Sequence, residues 1–148
     1  MVHRVDAIAD HIIWNAHRHG SFISNLKLQK LLYYAHAWHL AIHDEALFAE
    51  RIEAWVHGPV VPSIYRRFKR HGFRNIDEAI RRPELGTSTA NFLDELLRQY
   101  LPFDAYALEL MTHQEEPWLD ARGGAPPDRR SRAQITDSAI KRYFRARL

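Results

Sequence analysis

The chain has no cysteine, which excludes disulfides, thiolate zinc sites, iron–sulfur clusters and cysteine nucleophiles. Its six glycines are scattered, so no glycine-rich loop is available to cradle a phosphate, and no Gly-x-Ser-x-Gly elbow is present. No apolar run approaches the roughly 20 residues that span a bilayer. The start, MVHRVDAIADHII, lacks an apolar signal core followed by a small-residue cleavage site. These absences point to a cytoplasmic protein without a membrane partner. What is present is globular: 46% hydrophobic and 11% aromatic residues over 148 positions suffice for one domain with a real core and are too many for a disordered chain.

Charge is unevenly spread. Residues 122–148 hold eight Lys/Arg against Asp128 and Asp137, a net of +6, whereas residues 1–121 carry a net of −3. A basic tail of this kind suits nucleic acid or an acidic protein surface, although a solvated helix face explains the same pattern.

Hydrophobic spacing predicts a mainly α, single compact helical domain around a central buried helix. Val5, Ile8, Ile12 and Ile13 mark a first helix that ends within Asn15–Gly20. Ser24 or Asn25 caps the next, at about 25–42. In that helix Leu28, Leu31, Leu32, Ala35, His39 and Ile42 form one stripe, while Tyr33, Ala37 and Leu40 cover the far side. A helix apolar nearly all round belongs in the middle of a core. Alternation in Ile52–His57 predicts a short strand in a β-hairpin near 46–57, paired with Leu47–Phe48 and broken by Gly58-Pro59. Pro62 opens a helix that stops at Gly72, with Arg66, Arg67, Lys69 and Arg70 on its solvent side. Further helices are expected at Ile76–Ile80, from Phe92 to Tyr100, at Ala105–Met111, and after a Thr136 or Asp137 cap, with Gly86–Thr89 as a loop and 123–134 as a linker-like segment.

The stretch THQEEPWLDAR, Thr112 to Arg122, raises the question of chemistry. A catalytic zinc takes three protein ligands, and His113 with Glu115 or Glu116 supplies two. The zinc deaminase pattern needs a later Pro-Cys-x-x-Cys, and the zincin spacing of histidines is missing. A structural reading fits better. Pro117 starts a helix, the glutamates lie beside its N-terminus, Trp118 plugs the junction and Gly123 closes the helix. His36, His39 and His43 share one side of the central helix, where satisfied core or helix-end histidines are commoner than ligands. Glu50 and Glu53 read as surface charge. No metal or cofactor is expected.

These motifs, in order, resemble the Panacea antitoxin domain, the SocA-like family also labelled phage-associated proteins. The resemblance runs from about Val5 to Phe144. It rests on Lys-Leu-Gln-Lys-Leu-Leu-Tyr-Tyr at 27–34, Glu-Ala-Trp…Gly-Pro-Val-Val-Pro at 53–62 and Thr-His-x-Glu-x-Pro-Trp at 112–118, where Glu115 is the matching glutamate. One departure is local: Leu101-Pro102-Phe103-Asp104 stands where a Tyr-Gly turn is expected. The resemblance implies a mainly helical, non-enzymatic antitoxin of a two-gene toxin–antitoxin system. Such a protein neutralises a cognate toxin by direct contact, through occlusion or delivery to a cellular protease, and no catalytic residue comes with the family.

Our own reading assigns the motif residues Trp55, Gly58, Pro59, Pro62, His113, Glu115, Pro117 and Trp118 to the framework. It places toxin contact on Arg66, Arg67, Lys69 and Arg70, with Tyr33 and Tyr143 as aromatic anchors. The alternative is a nucleic-acid-binding regulator using the basic helix 62–72 and the Arg-rich C-terminus.

Overall fold

A computed structural model describes residues 2–148. The described residues form seven helices and a small antiparallel sheet: α1 (Val5–Arg18), α2 (Asn25–His43), β1 (Ile52–Trp55), β2 (Gly58–Val60), α3 (Pro62–Phe68, continued by a 3-10 turn at Lys69–His71), α4 (Thr87–Tyr100), α5 (Ala105–His113), α6 (Glu116–Ala121), β3 (Gln134–Ile135) and α7 (Asp137–Arg145).

The central helix is α2. Ser24 caps it, its Oγ accepting from the Lys27 N–H at 3.2 Å. Leu28 and Leu31 on one side and Tyr33, Tyr34 and Ala37 on the other are all buried. Helices α1, α3, α4, α5 and α7 and strand β2 all pack on it. Burial on every side replaces the usual single apolar face, so the axis is held by its surroundings rather than by helix propensity.

Strand β1 forms where alternation predicts, but its partners differ. It pairs with β2 across a two-residue turn, with Trp55 opposite Gly58, and on its other side with β3, Ile52 opposite Ile135. Gly58-Pro59 therefore continues the sheet instead of ending it. Gly58 supplies a positive φ of 110°, and Pro59 is tolerated because β2 is an edge strand in the order β2-β1-β3. Leu47 and Phe48 contribute buried side chains instead of a strand, with a single bridge from Phe48 to His3.

Two further expectations are corrected. Ile76–Ile80 is not helical: Ile76 is buried by itself, and its N–H bonds to the Ile23 carbonyl at 2.8 Å, so the segment runs extended across the α1–α2 connection. The loop ahead of α4 is shorter than Gly86–Thr89, because the helix starts at Thr87 with Gly86 as its cap.

Residues 123–134 wrap onto the body. The guanidinium of Arg122, only 6% exposed, donates to the carbonyls of Ala54 at 3.0 Å, Pro126 at 2.8 Å and Arg129 at 2.6 Å. That one side chain ties the segment to β1 and delivers Gln134–Ile135 to the sheet. Thr136 then caps α7 through the Ala139 N–H. Among the described residues no helix is long and apolar enough to cross a membrane.

Candidate functional site

The three sequence motifs, far apart in the chain, meet at one buried junction. Lys30 of α2 is fully buried and donates from Nζ to the Pro59 carbonyl at 3.2 Å. Burial lowers this ammonium to about 7, opposed by the field of Glu109. A Cβ at Gly58 would stand 2.5 Å from Lys30 Cε and 2.9 Å from Thr112 Oγ1, so β2 reaches α2 and α5 only because position 58 lacks a side chain. Beside it Gln29 accepts from the Val61 N–H at 2.9 Å and donates to Asn25, whose Nδ2 in turn reaches the Tyr65 carbonyl at 3.0 Å. This relay satisfies the turn into α3, which Pro62 opens.

The Thr112–Trp118 stretch closes the junction from the other side. Trp118, 2% exposed, donates from Nε1 to the Trp55 carbonyl at 2.8 Å. His113 stacks on its ring at 4.1 Å, and the Arg122 guanidinium lies 4.6 Å from the ring centre. Burial lowers the His113 pKa. Pro117 falls in the first turn of α6 and is buried, and Glu115 is the N-cap. The framework residues of the sequence reading are thus brought together here.

Glu115 is more than a helix-end charge. Its carboxyl is 9% exposed and accepts from the Tyr34 hydroxyl at 2.9 Å and the Tyr33 hydroxyl at 3.4 Å. Burial pushes it up to about 7, against the opposing pull of those two hydroxyls and of Arg147. Burial and the neighbouring carboxyl push both tyrosines well above the usual phenol range. Tyr34 stacks on Tyr100 at 4.4 Å, and Trp38 donates to the Tyr100 hydroxyl at 2.7 Å. Sequence reading missed this cluster. The available signal was the consecutive Tyr33-Tyr34 on a helix apolar all round, which needs a buried acceptor for two hydroxyls.

The junction is packed, and most of its polar groups are paired, His113 Nε2 and Arg122 Nε being buried without a hydrogen-bond partner among the described residues. Two surface clefts lie elsewhere: one lined by Trp14, Arg18, Asp94 and Arg98, the other by His3, Asp6, Asp10 and Glu84. Among the described residues no group of three or more His, Asp or Glu side chains is arranged to hold a metal ion. His39 donates from Nδ1 to the Glu45 carbonyl at 2.7 Å, as a satisfied histidine near the helix end.

The expected contact surface is rearranged. Tyr33 is fully buried and cannot serve as a surface anchor, because the far side of α2 is covered by α7 and its ring packs on Phe144. Tyr143 is half-buried beneath the Arg147 guanidinium at 3.4 Å. Arg67 turns back to Asp6 at 3.1 Å and Asp10 at 2.5 Å, and Arg70 pairs with Glu78 at 2.7 Å. Arg66 and Lys69 remain exposed without an ion-pair partner among the described residues, and Phe73, 97% exposed, projects just beyond them.

Comparison with known proteins places this arrangement. Residues 28–119 match the family described as Antitoxin SocA-like, Panacea domain, and the chain belongs to it. It is similar to Antitoxin SocA of Caulobacter vibrioides (strain NA1000 / CB15N), 50% identical over 50 residues, which is 34% of this chain and 27% of that protein. The chain thus aligns with only about a quarter of that relative's length. No solved structure matches.

Two outcomes follow from the junction. Trp118→Ala removes a buried indole that bridges α6 and β1, and should cost about 3–5 kcal/mol in chemical denaturation; an unchanged midpoint would contradict the junction's structural role. Glu115 has a folded pKa raised above its unfolded value of 4.5, so its contribution to stability is present at low pH and is lost as pH rises through about 7. Glu115→Gln keeps partners for both tyrosines and cannot ionise. Its stability relative to the parent should therefore increase between pH 4.5 and 7 and level off above, read by urea titrations across that range.

Proposed function

We propose that this Panacea-domain chain is an antitoxin that neutralises a cognate toxin by direct protein–protein contact. Membership of the family carries this reading, and the name of the Caulobacter relative supports it. The buried junction supports it as well. The residues that define the family here are used to join α2, the sheet, α5 and α6, which leaves the outer helix faces free to be fitted to a partner.

The basic face contributes the unpaired cations Arg66 and Lys69 with Phe73 as an apolar anchor, and suits an acidic patch on the toxin. Internal pairing of Arg67 and Arg70, together with burial of Arg122, leaves a thinner cationic strip than nucleic-acid binding needs, so the regulator reading is the weaker one. Contact of this kind neutralises either by covering the toxin's working surface or by presenting the toxin to a protease.

The test is a growth assay. The neighbouring gene is induced alone and then together with this chain. Arrest by the neighbour and recovery on co-induction are expected; a harmless neighbour, or arrest without recovery, overturns the reading. Recovery that disappears in a protease-deficient host assigns delivery, and recovery that persists there assigns occlusion. Arg66→Glu with Lys69→Glu should weaken recovery at matched expression while leaving the melting temperature unchanged. Full recovery by that variant removes the basic face from the contact.

A further inference from the structure

The outer face of α5 is open to solvent at Tyr106 and Leu110. Its inner side buries Leu108 and Thr112 against the body. Phe103 is exposed in the turn just before the helix, and the outer side of the helix carries Tyr106 and Leu110, four positions apart and so on one face. The three are 43%, 67% and 43% exposed, and Tyr106 makes neither a ring contact nor a hydrogen bond among the described residues. Three large exposed apolar side chains within eight positions, a tyrosine among them, have the composition of a binding surface rather than of ordinary solvent-facing helix.

Charge selects the occupant. In a chain with 21 Lys/Arg there is none between Arg98 and Arg122, and the same stretch holds Asp104, Glu109, Glu115, Glu116 and Asp120. Glu115 is buried in the tyrosine cluster, Glu109 faces His57 at 3.1 Å, and Asp104 caps α5 in the field of the Lys27 ammonium, which leaves Glu116 and Asp120 of α6, just after α5 in the chain, as the exposed anions of this stretch. An apolar centre with an anionic rim repels phosphate backbones and anionic lipid and attracts a basic partner.

On the antitoxin reading above, we propose that this face receives a basic amphipathic helix of the toxin, two of whose apolar side chains pack about Tyr106 and Leu110 while its Lys or Arg residues meet Glu116 and Asp120. A helix laid along another helix brings apolar residues into register every three or four positions, matching the spacing of Tyr106 and Leu110. This contact uses a different element and the opposite sign of charge from the Arg66–Lys69 face, so the two can be separated by mutation.

The experiment uses the full chain in the same co-induction assay, with melting temperature and sedimentation measured on each purified variant. Tyr106→Asp with Leu110→Asp should lower recovery at least tenfold in plating efficiency with melting unchanged. Glu116→Lys with Asp120→Lys should also lower recovery, and it keeps the proposal testable if the first variant fails to fold. Recovery by the parent chain together with full recovery by both folded variants overturns the α5 face and leaves the antitoxin reading intact. Loss of recovery with the first pair but not with the second overturns the basic character of the occupant. A change in sedimentation with recovery retained shows the face to be covered by a second copy, which also overturns it. No recovery by the parent chain itself overturns the antitoxin reading on which the proposal rests.

Discussion

A lysine ammonium without contact with solvent is costly, by several kcal/mol when nothing answers it. Lys30 is in that position, and much of the molecule is arranged around it. The Pro59 carbonyl accepts from its ammonium and the field of Glu109 opposes the loss of its charge, while its stem fills the space that a side chain at position 58 would need. The hairpin therefore runs flush against α2. Once it does, Gln29 can reach the Val61 N–H, α3 departs from a fixed point, and Trp118 can close over the Trp55 carbonyl. Replacing Gly58 with any other residue meets two obstacles at once: backbone with φ at 110° and the Lys30 side chain.

The parts of this arrangement that were legible in the sequence are those with local causes. The all-round apolar character of α2, the Ser24 and Thr136 caps and Pro62 at a helix start each depend on residues a few positions apart. The illegible parts have distant causes. Gly58-Pro59 reads as a chain breaker, because nothing nearby announces that Lys30, 28 positions earlier, needs a bare backbone beside it. The pairing of β1 with Gln134–Ile135 depends on Arg122 gathering carbonyls from β1 and from the 123–134 segment. Ile76 looks helical by spacing and is a single buried residue on an extended strap.

The errors at the contact surface share one origin. Apolar residues at helical spacing signal a buried face, whichever protein provides the cover. Tyr106 and Leu110 fall in the helix expected at Ala105–Met111, and only their exposure separates them from Leu108 and Thr112 on the same element. Conversely, Tyr33 was placed at the surface although α2 is apolar on both sides, a pattern that already requires burial of its hydroxyl and an acceptor such as Glu115. Arginine counting overstated the basic face for a related reason: whether a guanidinium faces solvent or Asp6 and Asp10 is decided by how α1 and α3 pack, 57 residues apart in the chain.

The small sheet has a consequence for how the protein can be engaged. Its two rims are the three residues of β2, one of them Pro59, and the two residues of β3. A rim so short, with one N–H missing, offers almost no main-chain ladder for a visiting strand to extend. Recognition by backbone zippering, which tolerates many sequences, finds little purchase on this sheet. On the proposed antitoxin reading, a partner is told apart by surface side chains, so a change of partner can be written in a few surface codons without rebuilding the scaffold beneath them.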